Sequence, residues 1–167
     1  MIIMGIDPGT IRAGYGVIKA EGSDIRPLAY GVAKGGSDKR QLYTLRLKNI
    51  YAGLKEIIDK HQPEMIVLET VYYGKNVQTA IKIGEGRGVA LLAAADADAE
   101  LLELPPTVIK KAVTGRGDAR KAQVGEMVRA ILGLDEVPSP DDASDALACA
   151  IAGHHRLAGR QRTMGDE

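Results

Sequence analysis

Residues 38–69 read DKRQLYTLRLKNIYAGLKEIIDKHQPEMIVLE, and the change of period inside them decides the fold class. Leu42, Leu45, Leu47, Ile50, Leu54, Ile57 and Ile58 recur at helical spacing with Lys, Arg and Glu between them. That pattern predicts an amphipathic helix over Asp38 to Lys60, closed by Pro63. Met65-Ile66-Val67-Leu68 is then apolar on both faces, as a buried central strand requires, and it ends at Glu69. A helix feeding a doubly covered strand is the unit of an α/β fold.

Upstream, Ile2-Ile3-Met4-Gly5-Ile6 is a short apolar run stopped by the turn signal Asp7-Pro8-Gly9-Thr10. Tyr15 to Lys19 and Leu28 to Lys34 follow as short segments between Gly, Ser and Pro, the pattern of an antiparallel meander. Downstream, a helix is expected over Asn76 to Ala95, a strand over Glu100 to Leu104, and helices near Thr107 to Val113 and Arg120 to Leu132. The last helix starts after Pro138-Ser139-Pro140 and runs from Asp141 to about Arg156. The expectation is an α/β protein: a mixed five-stranded sheet flanked by helices, one domain over 1–157, then a flexible tail over 158–167.

The chain has 167 residues, 45% hydrophobic and 26% charged, which fits one folded domain and excludes wholesale disorder. No apolar run is longer than Val89 to Ala95, which is far short of a membrane span. The opening MIIMGIDPGT lacks the basic start and cleavage site of a signal peptide. A lone Cys149 excludes a disulfide scaffold and a cysteine-based zinc site, and fits a reducing compartment, so a cytoplasmic location is expected. His61, His154 and His155 lack metal-binding spacing and are expected at the surface.

Four carboxylates occupy unusual places. Asp7 ends the first strand, where Asp before Pro-Gly also serves a β-turn. Glu69 ends the apolar central strand, at the carboxyl edge where open α/β sheets bind ligands, though a strand-edge Glu also simply faces solvent. In Asp141-Asp142-Ala143-Ser144-Asp145, either Asp141 or Asp142 shares a helix face with Asp145, and Asp142 also suits a helix N-terminus. Asp145 has Ala148, Cys149 and Ala152 as helical neighbours, so it projects toward the packed side with no evident basic partner. A buried unpaired carboxylate is costly, and a metal ion is the natural compensation. Oxygen ligands alone select a hard cation, Mg²⁺ or Mn²⁺, and two such ions clamp the oxygens of a phosphoryl transfer.

Basic and acidic residues number 22 each, so net charge says nothing about a partner. Its distribution does. Between Pro105 and Leu132 stand Lys110, Lys111, Arg116, Arg120, Lys121 and Arg129 against Asp118 and Glu126 alone. This basic stretch, with the turn Thr114-Gly115-Arg116-Gly117, suits phosphate docking, although a solvated helix face gives the same count. Tyr72-Tyr73, followed by Gly74-Lys75-Asn76, is an aromatic pair in a chain without Phe or Trp. It suits stacking on bases, or a hydrophobic staple for the next helix. Gly84-Glu85-Gly86-Arg87-Gly88 lies inside a helical pattern, which excludes a Rossmann loop and permits close approach of another element, self-association included.

Together these residues resemble the RuvC family of bacterial crossover junction endodeoxyribonucleases, the Holliday junction resolvases, from Met1 to about His155. The matching segments are Gly5-Ile6-Asp7-Pro8-Gly9-Thr10, Gly14-Tyr15-Gly16-Val17, Leu68-Glu69, Lys75-Asn76, Lys82-Ile83-Gly84 and Arg87-Gly88-Val89-Ala90. Val108-Ile109-Lys110-Lys111, Lys121-Ala122-Gln123-Val124 and Asp142-Ala143-Ser144-Asp145-Ala146-Leu147-Ala148 complete the set. The resemblance implies an RNase H-like fold, a homodimer and Mg²⁺-dependent paired nicking of four-way DNA junctions, alongside the RuvA–RuvB branch-migration complex. It implies an acidic site of Asp7, Glu69, Asp142 and Asp145 holding two Mg²⁺ ions, and so favours Asp142 over Asp141. Lys110 and Lys121 match the family's basic residues near DNA, with Lys121 in the catalytic set. Tyr72 and Tyr73 fall where the family usually carries a wedging Phe, so this chain keeps the stacking face and adds a hydroxyl. Lys75 and Arg116 join the expected DNA contacts.

Two rival functions stand beside this one. Asp7-Pro8-Gly9-Thr10 also resembles the phosphate loop of actin-like ATPases and kinases, which need two such domains and a longer chain. A non-catalytic junction-binding module would use the same carboxylates as caps and turns.

Overall fold

The computed structural model describes residues 1–36, 42–70 and 77–164, with side chains through residue 159. Its elements are β1 (Ile2–Asp7), β2 (Arg12–Glu21), β3 (Asp24–Lys34), α1 (Tyr43–His61), β4 (Met65–Glu69), α2 (Val77–Ala95), β5 (Glu100–Leu104), α3 (Pro106–Thr114), α4 (Lys121–Leu132) and α5 (Asp141–Met164). The sheet order is β3-β2-β1-β4-β5. β1, β2 and β3 form the expected antiparallel meander, while β4 runs parallel to both β1 and β5.

Strand alternation divides the sheet between two cores. Met4, Ile6, Val17, Ile66 and Leu68 face Ile50, Leu54 and Ile58 of α1 and Ala90, Ala93 and Ala94 of α2. Ile3, Ile18, Met65, Val67 and Leu104 face the other way, against α3, α4 and α5. Helix α5 is buried almost without interruption from Ala143 to Ala152. It is alanine-rich, and it lies unusually close to the sheet because glycines sit beneath it. A Cβ on Gly5 would stand 1.9 Å from the Ala146 carbonyl oxygen, and one on Gly14 would stand 2.0 Å from that of Asp142.

Several boundaries differ from expectation. β3 continues back through Pro27 to Asp24, because an edge strand tolerates proline and a bulge beside Val17 and Ile18 absorbs Leu28. Helix α1 ends at His61, where Gln62 adopts a left-handed conformation (φ 47°) and donates its N–H to the Ile58 carbonyl. The start expected at Asp38 lies outside the described residues. Helix α5 runs on through Gly159 to Met164 rather than ending near Arg156, since no proline interrupts it, so the expected flexible tail is helical to Met164. His154 is buried, against the surface position expected of it, and its ring packs 5.7 Å from that of His155. Among the described residues no helix is long and apolar enough to cross a membrane.

Candidate active site

Asp7 is the last residue of β1, paired across the ladder with Gly14. Glu69 is the last residue of the adjacent β4, so two carboxylates stand side by side at one sheet edge. Alternation turns both toward α5, whose first turns carry Asp142 and Asp145. The close seating of α5 over Gly14 brings Asp142 down onto β2.

Electrostatics ties the four together. Burial, followed by the charges of Asp145, Asp142 and Glu69, pushes the Asp7 carboxyl up from 3.8 to about 7, with Lys121 opposing. Glu69 is raised by burial and then by Asp145, while Lys110 and Lys121 pull it down. Beneath them the buried Cys149 thiol is driven upward by burial and by Glu69, Asp7 and Asp145.

Two cations answer this excess of negative charge. Lys121 Nζ lies 2.8 Å from Asp145 Oδ2 and 3.4 Å from Asp141 Oδ2, correcting the expectation that Asp145 lacks a basic partner. The partner comes from α4, distant in sequence. Arg12 Nε lies 2.7 Å from Asp142 Oδ2, but off the hydrogen-bond direction, so that buried oxygen receives no hydrogen bond. Asp142 Oδ2 therefore does not cap its own helix end. Among the described residues no three His, Cys, Asp or Glu side chains are gathered as a ready metal cage. The donor set is all oxygen, one oxygen is buried and unsatisfied, and the Asp7 carboxyl resists ionising, which together fit a hard divalent cation.

A cleft of about 200 Å³ opens beside this cluster, lined by Glu69, Asp145, Lys110 and Lys121 and floored by Ile109 and Val124. Asp7 and Asp142 lie outside its lining. Arg116 is elsewhere, forked onto Asp118 at 3.1 and 3.2 Å. Tyr72, Tyr73 and Lys75 fall outside the described residues. Sequence reasoning missed Arg12 as the partner of Asp142. It also missed what Arg87 does: the residue lies in a matching segment, but only the fold brings it to Glu69. Its Nη1 donates to the Glu69 carbonyl oxygen at 2.9 Å.

A meander of three strands continued by two parallel ones, with acidic residues ending β1 and β4 and starting the last helix, defines an RNase H-like nuclease domain. The family model described as Crossover junction endodeoxyribonuclease RuvC matches residues 3–154. This chain belongs to the RuvC family, a family of divalent-metal nucleases. A relative of that same description from Natranaerobius thermophilus is 44% identical over 163 residues, covering 98% of this chain and 99% of its own. The Thermus thermophilus RuvC structure aligns with TM-score 0.83 at 34% identity, covering 98% of both chains. T. thermophilus RuvC in complex with a Holliday junction substrate aligns with TM-score 0.85 at 33% identity, covering 98% of this chain and 97% of that one.

Proposed function

We propose that this chain resolves four-way DNA junctions in recombination and repair, by paired symmetric nicks that leave 5′-phosphate and 3′-hydroxyl ends. The observation that carries the reading is the convergence of Asp7, Glu69, Asp142 and Asp145 beside a cleft bearing Lys110 and Lys121. The four carboxylates would hold two Mg²⁺ ions, with Mn²⁺ able to substitute. Bound cations of this kind supply an activated water and neutralise charge on the phosphate. Lys121 and Lys110 present ammonium groups at the cleft, suited to holding the scissile phosphate and its developing charge.

Tyr72 and Tyr73 stand three and four residues past Glu69 in sequence and are assigned to stacking within the junction, with Lys75 and Arg116 on its backbone. A homodimer supplies a second, symmetry-related site for the opposed strand. Its support is one face of α2: Val77, Ile81, Gly84, Gly88 and Leu92 are all exposed and fall within an arc of about 80°. The nuclease domain is assigned to 1–157. Family membership supports a cytoplasmic protein working with the RuvA–RuvB complex.

The test is a mobile synthetic four-way junction, incubated with and without Mg²⁺, each strand labelled in turn and products resolved on denaturing gels. Metal-dependent symmetric nicks on opposed strands are expected. Tight binding without nicks would mean a junction-binding module instead.

A further inference from the structure

Strand register places two glutamates on opposite faces of the β4–β5 pair. Leu68 pairs with Glu103, and Glu69 with Leu104. Leu68 belongs to the core under α1 and α2, whereas Leu104 belongs to the core under α3, α4 and α5. Glu103 therefore takes the α2 face, and Glu69 turns its carboxylate to the opposite face, toward Asp145.

Arg87 reaches this pair from α2, behind the site. Its Nη1 donates to the Glu69 carbonyl oxygen at 2.9 Å, and its Nη2 donates to the Glu103 carboxylate. The side chain is only 18% exposed. One guanidinium thus ties the end of β4 to β5. The Thr70 N–H, donating to the Leu104 carbonyl at 2.8 Å, is a second tie one residue on.

We infer that Arg87 is a positioning residue for Glu69. It touches no carboxylate of the acidic cluster, so it neutralises nothing there; it fixes the backbone from which the Glu69 side chain departs. Such a fixture is needed because Glu69 is the terminal residue of its strand and faces Asp145, a like charge. The planar fork of arginine serves two acceptors in fixed directions, which the point charge of lysine does not. The inference rests on the reading of Glu69 as a metal ligand.

The test compares Arg87→Met, Arg87→Lys and Glu69→Gln in the full chain. Junction affinity is measured without divalent ions, Mn²⁺ affinity of the DNA-free protein by electron paramagnetic resonance of free Mn²⁺, and single-turnover cleavage against Mg²⁺ concentration. Arg87→Met keeps the apolar stem and loses both donors. It should bind junctions within about 2-fold of wild type yet lose roughly 10-fold in Mn²⁺ affinity and cleavage rate, the usual scale for supports of metal ligands. Arg87→Lys should fall between the two. If Glu69→Gln loses Mn²⁺ binding and cleavage while Arg87→Met keeps both, the inference is overturned and the reading of Glu69 stands. If Glu69→Gln keeps both, that reading fails, whatever Arg87 does. Should the Met variant not fold, the Lys variant decides, and wild-type Mn²⁺ affinity in it overturns the inference.

Discussion

Arg12 and Asp142 are paired by charge and not by hydrogen-bond geometry: Nε sits 2.7 Å from Oδ2, which is buried and accepts nothing. Arg12 is half-exposed on β2, reaching Asp142 on the same face of the sheet. A pair of this kind is worth little to stability, so Arg12 serves as a weakly held counter-cation within the acidic cluster.

Removing that counter-cation should help a metal ion compete. Arg12→Gln is expected to tighten Mn²⁺ binding to the DNA-free protein by about 2- to 5-fold, the scale of one weak ion pair. Calorimetric titration with Mn²⁺ measures it. Weaker binding would mean that Arg12 organises Asp142 instead of occupying it.

The Asp7 carboxyl gives the metal-free protein an unusual pH profile. Its folded value, about 7, lies above the ordinary 3.8. Between those values the folded state keeps a proton that the unfolded state has released, so stability falls as pH rises from about 4 to about 7. Urea unfolding in chelator at pH 5 and pH 8 should differ by on the order of 2–4 kcal/mol more in wild type than in Asp7→Asn. Equal differences in the two proteins would remove the basis for a raised Asp7.

That same variant separates stability from activity. Asp7→Asn should abolish nicking while junction binding survives, and at pH 8 it should raise the metal-free melting temperature by a few degrees, since about 1 kcal/mol moves a chain of this size roughly 2–4 °C. Gel assays and calorimetry read the two effects. Retained cutting by Asp7→Asn would sink the site assignment.

How much of this was legible follows from which signals are local. The switch of period between residues 42 and 68 needed no tertiary knowledge, because helical and strand spacing are written in the sequence. The two-faced apolar strand β4 announced both layers of helices. Pro27 misled, since only its place on an edge strand, known from the fold, makes it harmless. Asp145 reads as unpartnered in the sequence because Lys121 lies 24 residues earlier, on another helix. Arg87 and Arg12 were illegible as neighbours of the acidic residues for the same reason: register and helix packing, not spacing, bring them to Glu69 and Asp142. The Gly84–Gly88 stretch read as a surface for close approach, and it divides in the structure. Gly86 lies against Gly9, whereas Gly84 and Gly88 have open space.

Glycine under α5 has a consequence for the site. A Cβ at Gly14 would press on the Asp142 backbone, at 2.0 Å from its oxygen and 2.4 Å from its carbonyl carbon. Gly14→Ala must lift the start of α5 from β2, costing about 2–4 kcal/mol, and should slow cleavage more than it weakens junction binding. Urea unfolding with paired rate and binding measurements checks it. Wild-type stability in this variant would contradict the close seating of α5.

A dimer built through α2 would be separable from folding, because the stripe and the core lie on opposite sides of that helix. Gly86, Ala90, Ala93 and Ala94 are buried, whereas Val77, Ile81, Gly84, Gly88 and Leu92 are exposed. Ile81→Asp changes an exposed side chain and should leave the melting temperature within about 2 °C, as surface substitutions do. It places a charge in the centre of the proposed interface, where an unpaired partner copy offers nothing to neutralise it, so the variant should sediment as a monomer at concentrations where wild type is dimeric. With one site per particle, the two nicks in a junction should become uncoupled, and singly nicked junctions should accumulate. A dimeric Ile81→Asp protein, or wild type that stays monomeric with junction bound, would place the pairing of nicks on some surface other than α2.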